Sequence, residues 1–143
     1  MRAYVMAMVG ALALAGCVEE QGGASGTMPG PQDGQALFME NCALCHGEDG
    51  RGNGPNARRM EKAPKDLTLI KLRHGDTFPR AKIMSYIDGY ARMDRSVEWM
   101  PEWGALLEGD LVPFDSGDGK LTPTPRKLVA ILEYLETIQQ ERK

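Results

Sequence analysis

The clearest periodic pattern lies near the C-terminal end. Leu128, Ile131, Leu132, Leu135 and Ile138 recur at three- and four-residue spacing, which puts them on one apolar stripe of a helix. Thr124 is a capping residue type and Pro125 suits a first helical position, so the pattern predicts a helix starting at this pair. A second helix is predicted from Pro79 to about Tyr90, with Ile83, Met84 and Ile87 on one face. A third, earlier in the chain, runs from Asp33 as its cap to about Leu44, with Leu37, Phe38, Asn41 and Cys42 helically spaced. The stretches Gly47 to Pro79 and Ala91 to Thr124 are broken by glycines and prolines and carry no period. No strand run and no internal repeat stands out. The expectation is an all-α domain of three main helices joined by long loops.

The N-terminal residues follow a different logic. Arg2 precedes an apolar run from Val5 to Ala15 that ends in small residues, the layout of a secretory signal. The run is shorter than the ~20 residues that span a bilayer. Its end, Leu14-Ala15-Gly16-Cys17, resembles the lipobox of bacterial lipoproteins, which implies that Cys17 becomes the lipid-bearing first residue of the mature chain. A plain signal peptide with a cysteine close by is the alternative. Val18 to Gln32 is rich in Gly, Ser and Pro and reads as a flexible tether of roughly 20 Å r.m.s. reach. The expected division is therefore a signal peptide at 1–16, a lipidated tether at 17–32 and a folded domain at 33–143.

Composition narrows the classes. The 143 residues suit a single domain, with 42% hydrophobic, 26% charged and only 6% aromatic residues. So few aromatics leave room in the core for something other than side chains. The formal charge is −3 and no basic run is present, which argues against a nucleic-acid partner. An exported chain with three cysteines has an odd one to explain. If Cys17 carries lipid, Cys42 and Cys45 remain as a local pair.

That pair sits in Cys42-Ala43-Leu44-Cys45-His46, and three chemistries compete for it. A thioredoxin-like dithiol needs a strand–helix setting that places one thiol at a helix N-terminus, whereas here the pair ends a helix. A structural zinc site needs four ligands, but the chain has only His46 and His74 as histidines and no second cysteine pair. Covalent haem attachment needs two thiols three positions apart and a histidine directly after the second. The segment supplies all three.

With these residues the chain resembles the class I c-type cytochromes, particularly small bacterial mono-haem ones, over about Asp33 to Gln139. The resemblance implies the cytochrome c fold, wrapped around one covalently bound haem c. It makes Cys42 and Cys45 the thioether sites and His46 the proximal iron ligand. Gly54-Pro55 matches the family's Gly-Pro, whose proline carbonyl accepts a bond from the proximal histidine, so Pro55 takes that place. Met100-Pro101-Glu102-Trp103-Gly104 looks like the family's distal loop, which gives Met100 as the sixth ligand and Trp103 as a shield beside the haem. Independently, a residue before proline is pushed out of helical geometry, so Met100 belongs on an extended loop from which a thioether can reach. Met93, between Arg92 and Asp94, and His74, in a charged loop, are the rival ligands. Gly34 and Phe38 resemble the positions where the first helix crosses the last, with Tyr134 and Leu135 as partners.

Two filled axial positions leave iron no open site, so the expected function is one-electron transfer rather than catalysis, with redox proteins as partners and no small-molecule substrate. The leading expectation is a lipid-anchored carrier of a bacterial electron-transfer chain, held at the cell envelope on the periplasmic side. The alternatives are the cytochrome subunit of a membrane or periplasmic oxidoreductase, and a haem sensor or peroxidase. The segment 105–123 is longer than the family's link to the last helix. Its acids, Glu108, Asp110, Asp115 and Asp118, read as a solvated excursion or an acidic docking face.

Overall fold

A computed structural model describes residues 27–90 and 100–142. Cys17, the signal and most of the tether lie outside the described residues, as do Met93 and Trp99. The elements in chain order are α1 (Pro31–Asn41), α2 (Ala43–His46), 3₁₀ turns at Ala57–Arg59 and Leu67–Leu69, α3 (Ile70–Arg73), α4 (Arg80–Asp88), α5 (Trp103–Leu106), strands β1 (Leu111–Asp115) and β2 (Leu121–Pro125), and α6 (Arg126–Thr137). The three long helices are the three predicted ones.

Helix α1 starts three residues earlier than its capping pattern suggested, with Gly30 in place of Asp33 at the N-cap. Pro31 takes the first helical position, where a missing N–H costs nothing. Asp33 then lies in the first turn and reaches back to accept the Gly30 N–H at 2.9 Å, so it caps from inside the helix.

Helix α6 is the centre of the core. Leu128, Val129, Ile131 and Leu132 are fully buried, and Ala130, Tyr134 and Leu135 nearly so. One side of α6 meets α1 so closely that a Cβ built on Gly34 would stand 1.9 Å from the Ala130 carbonyl oxygen. Only a hydrogen fits there. One turn on, the rings of Phe38 and Tyr134 pack at 5.3 Å between centroids, tilted by 52°. The crossing read from the sequence is therefore present, residue for residue.

The other side of α6 takes α4 and a β-hairpin that the sequence did not announce. Strands β1 and β2 pair antiparallel with Leu111 opposite Pro125, Pro113 opposite Pro123, and Asp115 opposite Leu121. Val112 and Phe114 point into the core. The hairpin claims Thr124 and Pro125 for β2, so α6 begins one residue later than expected, with Pro125 at the N-cap position and Arg126 as the first helical residue. Arg80 of α4 binds Glu133 and Glu136 of α6 and lies over the Phe114 ring, 5.2 Å from its centroid. Burial works against the Arg80 charge, but the two carboxylates outweigh it and raise its pKa further. One side chain thus fastens α4, α6 and the hairpin together.

Beyond α6, the Gln139 and Gln140 side chains donate to the Leu67 carbonyl and the Thr68 hydroxyl at 2.9 and 2.8 Å. They tie the end of the chain to the 3₁₀ turn before α3. Among the described residues no helix is long and apolar enough to cross a membrane.

Gly34→Ala should destabilise the purified protein by about 1–3 kcal/mol, since an added methyl must push α1 off α6. A chemical-denaturation midpoint matching that of wild type would show that the helices do not cross at this residue.

Candidate metal and cofactor site

The site begins where α1 ends. Cys42 closes α1 by donating its N–H to the Phe38 carbonyl at 2.8 Å. Its own carbonyl then accepts from Cys45 at 3.1 Å and His46 at 2.9 Å, which winds the single turn α2. Residues at i, i+3 and i+4 of such a turn share a face, so Cys42, Cys45 and His46 are presented together. Both cysteines are free thiols and half-buried. Burial, helped by the neighbouring Cys45, pushes the Cys42 thiol up to about 12. A thiol held so firmly protonated is a poor attacking thiolate, which weighs against a dithiol exchange site. Among the described residues no group of three or more His, Cys, Asp or Glu side chains is placed to hold a metal ion by itself, so no zinc ligand set surrounds the cysteines there.

The acidic, glycine-rich segment after His46 folds back onto this turn. Gly52 donates to the His46 carbonyl at 2.7 Å, Gly54 to that of Cys45 at 3.2 Å, and Asn56 to that of Leu44 at 2.9 Å. Gly54 lies so close that a Cβ would stand 2.6 Å from the carbonyl oxygens of both Ala43 and Leu44. The segment is thus a backbone brace under the Cys-Ala-Leu-Cys-His turn.

His46 itself is largely buried. Burial lowers its pKa, partly offset by the nearby Lys65 backbone, so the imidazole is neutral at pH 7 and keeps a nitrogen lone pair for a metal. Its Nδ1 is buried and has no hydrogen-bond partner of normal geometry. The Lys65 backbone is near enough to oppose the shift but does not complete a bond to that atom. The expected bond to the Pro55 carbonyl is therefore not made in this structure. The residues flanking Pro55 donate their N–H groups to the cysteine turn, Gly54 to Cys45 and Asn56 to Leu44, and Pro55 is left exposed.

Met100 is half-buried and packs at the margin of the same apolar core as Cys42 and Trp103. Trp103 opens α5, and its loop is seated on the end of α4, where a Cβ on Gly104 would stand 2.2 Å from an Asp88 carboxylate oxygen. The rival His74 is engaged elsewhere. Its Nε2 faces the Lys82 ammonium at 3.3 Å; since an ammonium only donates, Nδ1–H donates to the Ile70 carbonyl at 2.9 Å. Met84 is buried on α4, and Met60 follows the first 3₁₀ turn. The sequence carried no sign of the wiring around the turn: the carbonyls of Cys45 and Leu44, which accept the N–H groups of the brace, leave no residue-type signal.

An α1–α6 crossing that leads straight into a Cys-x-x-Cys-His turn, with a methionine loop on the same core, defines a c-type haem protein. The chain belongs to the cytochrome c family, whose model matches residues 31–106. It is 39% identical over 80 residues to the Cbb3-type cytochrome c oxidase subunit CcoP of Cereibacter sphaeroides, covering 55% of this chain and 23% of that protein. It is 50% identical over 88 residues to the Cbb3-type cytochrome c oxidase subunit FixP of Azorhizobium caulinodans, covering 60% of this chain and 25% of that protein. The chain thus spans about a quarter of the length of these relatives. No solved structure matches it. Family membership implies a bound haem c, and Cys42, Cys45 and His46 fit its attachment motif.

Gly54→Ala should displace the brace from the cysteine turn and lower covalent haem per polypeptide several-fold, read by haem staining of denaturing gels. Haem content equal to wild type would show that the turn does not need this contact.

Proposed function

We propose that this chain is the haem c electron-transfer subunit of a membrane oxidoreductase of the oxidase kind, passing one electron at a time to or from a redox protein partner. The observation that carries this reading is one helical turn that presents two free thiols and the half-buried His46 together. The sequence alone favours a free, lipid-anchored carrier. The subunit reading takes precedence because both matched relatives are named as oxidase subunits.

In this reading the residues divide the work. Cys42 and Cys45 would hold the haem covalently through their sulfurs, each thiol S–H adding to a vinyl group with no net redox change. His46 would offer a nitrogen lone pair and Met100 a thioether sulfur to the iron. Haem c, one per chain because the sequence has one attachment motif, supplies the Fe(III)/Fe(II) couple. With His46 and Met100 both donating to the iron, the site would store and pass an electron rather than bind a substrate. The Met100 sulfur favours the ferrous state, and Trp103 at the start of α5 keeps water from that side. Pro55 is the acceptor for His46 Nδ1 in the loaded protein. The chain is exported, processed at Cys17 and held by lipid at the cell envelope.

Met100→Ala should abolish the sulfur-to-iron charge-transfer band of the ferric protein and let the ferrous form bind carbon monoxide. Met93→Ala should leave both properties unchanged. The reverse pattern would transfer the ligand role to Met93, and ready carbon monoxide binding by wild type would favour the sensor or peroxidase alternative. Isolation from membranes in mild detergent should bring down a stoichiometric redox partner. A chain that comes away alone, yet shuttles electrons between membrane complexes, would restore the free-carrier reading.

A further inference from the structure

The hairpin has two unlike faces. Val112, Phe114 and Thr124 are buried, whereas Leu111 and Leu121 are 61% and 67% exposed. Alternation and register put Leu111, Pro113, Leu121 and Pro123 on the outward face, with Pro125 completing it beside Leu111. That face is apolar from the Leu111–Pro125 pair to the Pro113–Pro123 pair and to Leu121, and it ends at Asp115, which stands opposite Leu121. The acids at its tip are occupied in shaping the turn: Asp115 accepts the N–H groups of Gly117 and Gly119 at 2.8 and 3.1 Å, and Asp118 accepts that of Lys120 at 3.1 Å.

The edges of the hairpin are poor places for another strand. Two prolines facing each other cannot exchange ladder bonds, so Pro113 and Pro123 form a non-hydrogen-bonded pair whose backbone groups point outward. Each outer edge lacks a donor at that level, and Pro125 removes another from β2. Any contact here is therefore made by the side-chain face.

Where the chain leaves the domain indicates what covers that face. The Arg126 backbone N–H donates to the Asp110 carbonyl at 2.8 Å, and its guanidinium donates to the Thr27 carbonyl. Thr27 is thus pinned at the base of the hairpin, and the adjacent Met28 is 49% exposed. Only nine residues, Val18 to Gly26, separate Thr27 from Cys17, a span of at most roughly 30 Å when fully extended.

We propose that the outer face of the hairpin, formed by Leu111, Pro113, Leu121 and Pro123, rests on the surface of the lipid bilayer that holds Cys17. This proposal rests on the lipid-anchor reading of Cys17. The anchor enters beside this face, so it turns the hairpin toward the membrane and raises the local concentration of lipid around it. Two leucines and a few prolines bind lipid too weakly to recruit the domain unaided, but they suffice to orient one already tethered. The carboxylates at the tip favour a zwitterionic surface over an anionic one.

The test uses the mature, haem-loaded chain in phosphatidylcholine nanodiscs, with nitroxide labels at Leu111→Cys, Leu121→Cys or, as a control, the exposed Lys62→Cys. An unchanged haem spectrum confirms the fold of each variant, and intact mass reports lipid on Cys17. Labels at 111 and 121 should show several-fold greater relaxation by oxygen relative to Ni(II)EDDA than the label at 62. Lipidated protein whose labels at 111 and 121 match position 62 overturns the proposal alone. Mature protein without lipid on Cys17 overturns the anchor reading and the proposal with it. Shielding that appears only when a partner protein co-purifies assigns the face to that protein and overturns the lipid assignment.

Discussion

The approach of α1 to α6 at Gly34 fixes the position of the cysteine turn with which the site begins. A side chain at that residue would occupy the space of the Ala130 carbonyl, so the two helices meet backbone to backbone. Dispersion forces fall steeply with distance, and such contact gains them over the whole crossing, with Phe38 against Tyr134 closing it one turn on. Cys42 follows one turn later, joined to Phe38 by a backbone hydrogen bond. The cysteine turn therefore inherits its position from the most rigid part of the molecule.

From that turn onward the chain is held by individual polar contacts more than by regular structure. Gly52 bonds back to His46, Leu67 donates to the Gly50 carbonyl, and the Leu67 carbonyl accepts from Gln139 beyond α6. A relay of hydrogen bonds thus runs from the cysteine turn to the residues after α6. Buried backbone N–H and C=O groups must find partners, and in a segment without long helices they do so one at a time. This explains how the irregular stretch between His46 and α3 can brace a site at all.

The sequence revealed its donors and helices more readily than the hairpin and the brace. Helix α6 was legible because its apolar spacing is nearly uninterrupted, and the cysteine turn because two thiols and a histidine at that spacing have few other uses. The hairpin was hidden by Pro113, Pro123 and Pro125, which weaken any strand reading. Its remaining signal, Val112 and Phe114 alternating with exposed neighbours ahead of an Asp-Ser-Gly-Asp-Gly turn, is short. The prolines are tolerated because each faces an outer edge, a fact that only the register discloses. Arg80 was equally unreadable: its partners Glu133 and Glu136 lie more than fifty residues away, and no local pattern links them. The Pro55 acceptor was carried over from resemblance, and the structure leaves His46 Nδ1 without it.

The two sides of the site rest on unequal supports. His46 is held by the helix crossing and by a brace that contacts three successive carbonyls of its own turn. Met100 precedes a short helix, and its loop is seated on α4 through the contact of Gly104 with Asp88. Helix α4 in turn is fastened to α6 chiefly by Arg80 and by Met84 and Ile87 in the core. Anything that loosens α4 therefore reaches Met100 before it reaches His46. Local openings begin where buried apolar contacts are few, so on the proposed reading the sulfur ligand is the first to let go, while the thioethers and histidine keep the haem in place. The hairpin bears on the same helix through Phe114 and Arg80. Contact at its outer face is thus mechanically connected, through one guanidinium, to the side of the site that is easiest to move.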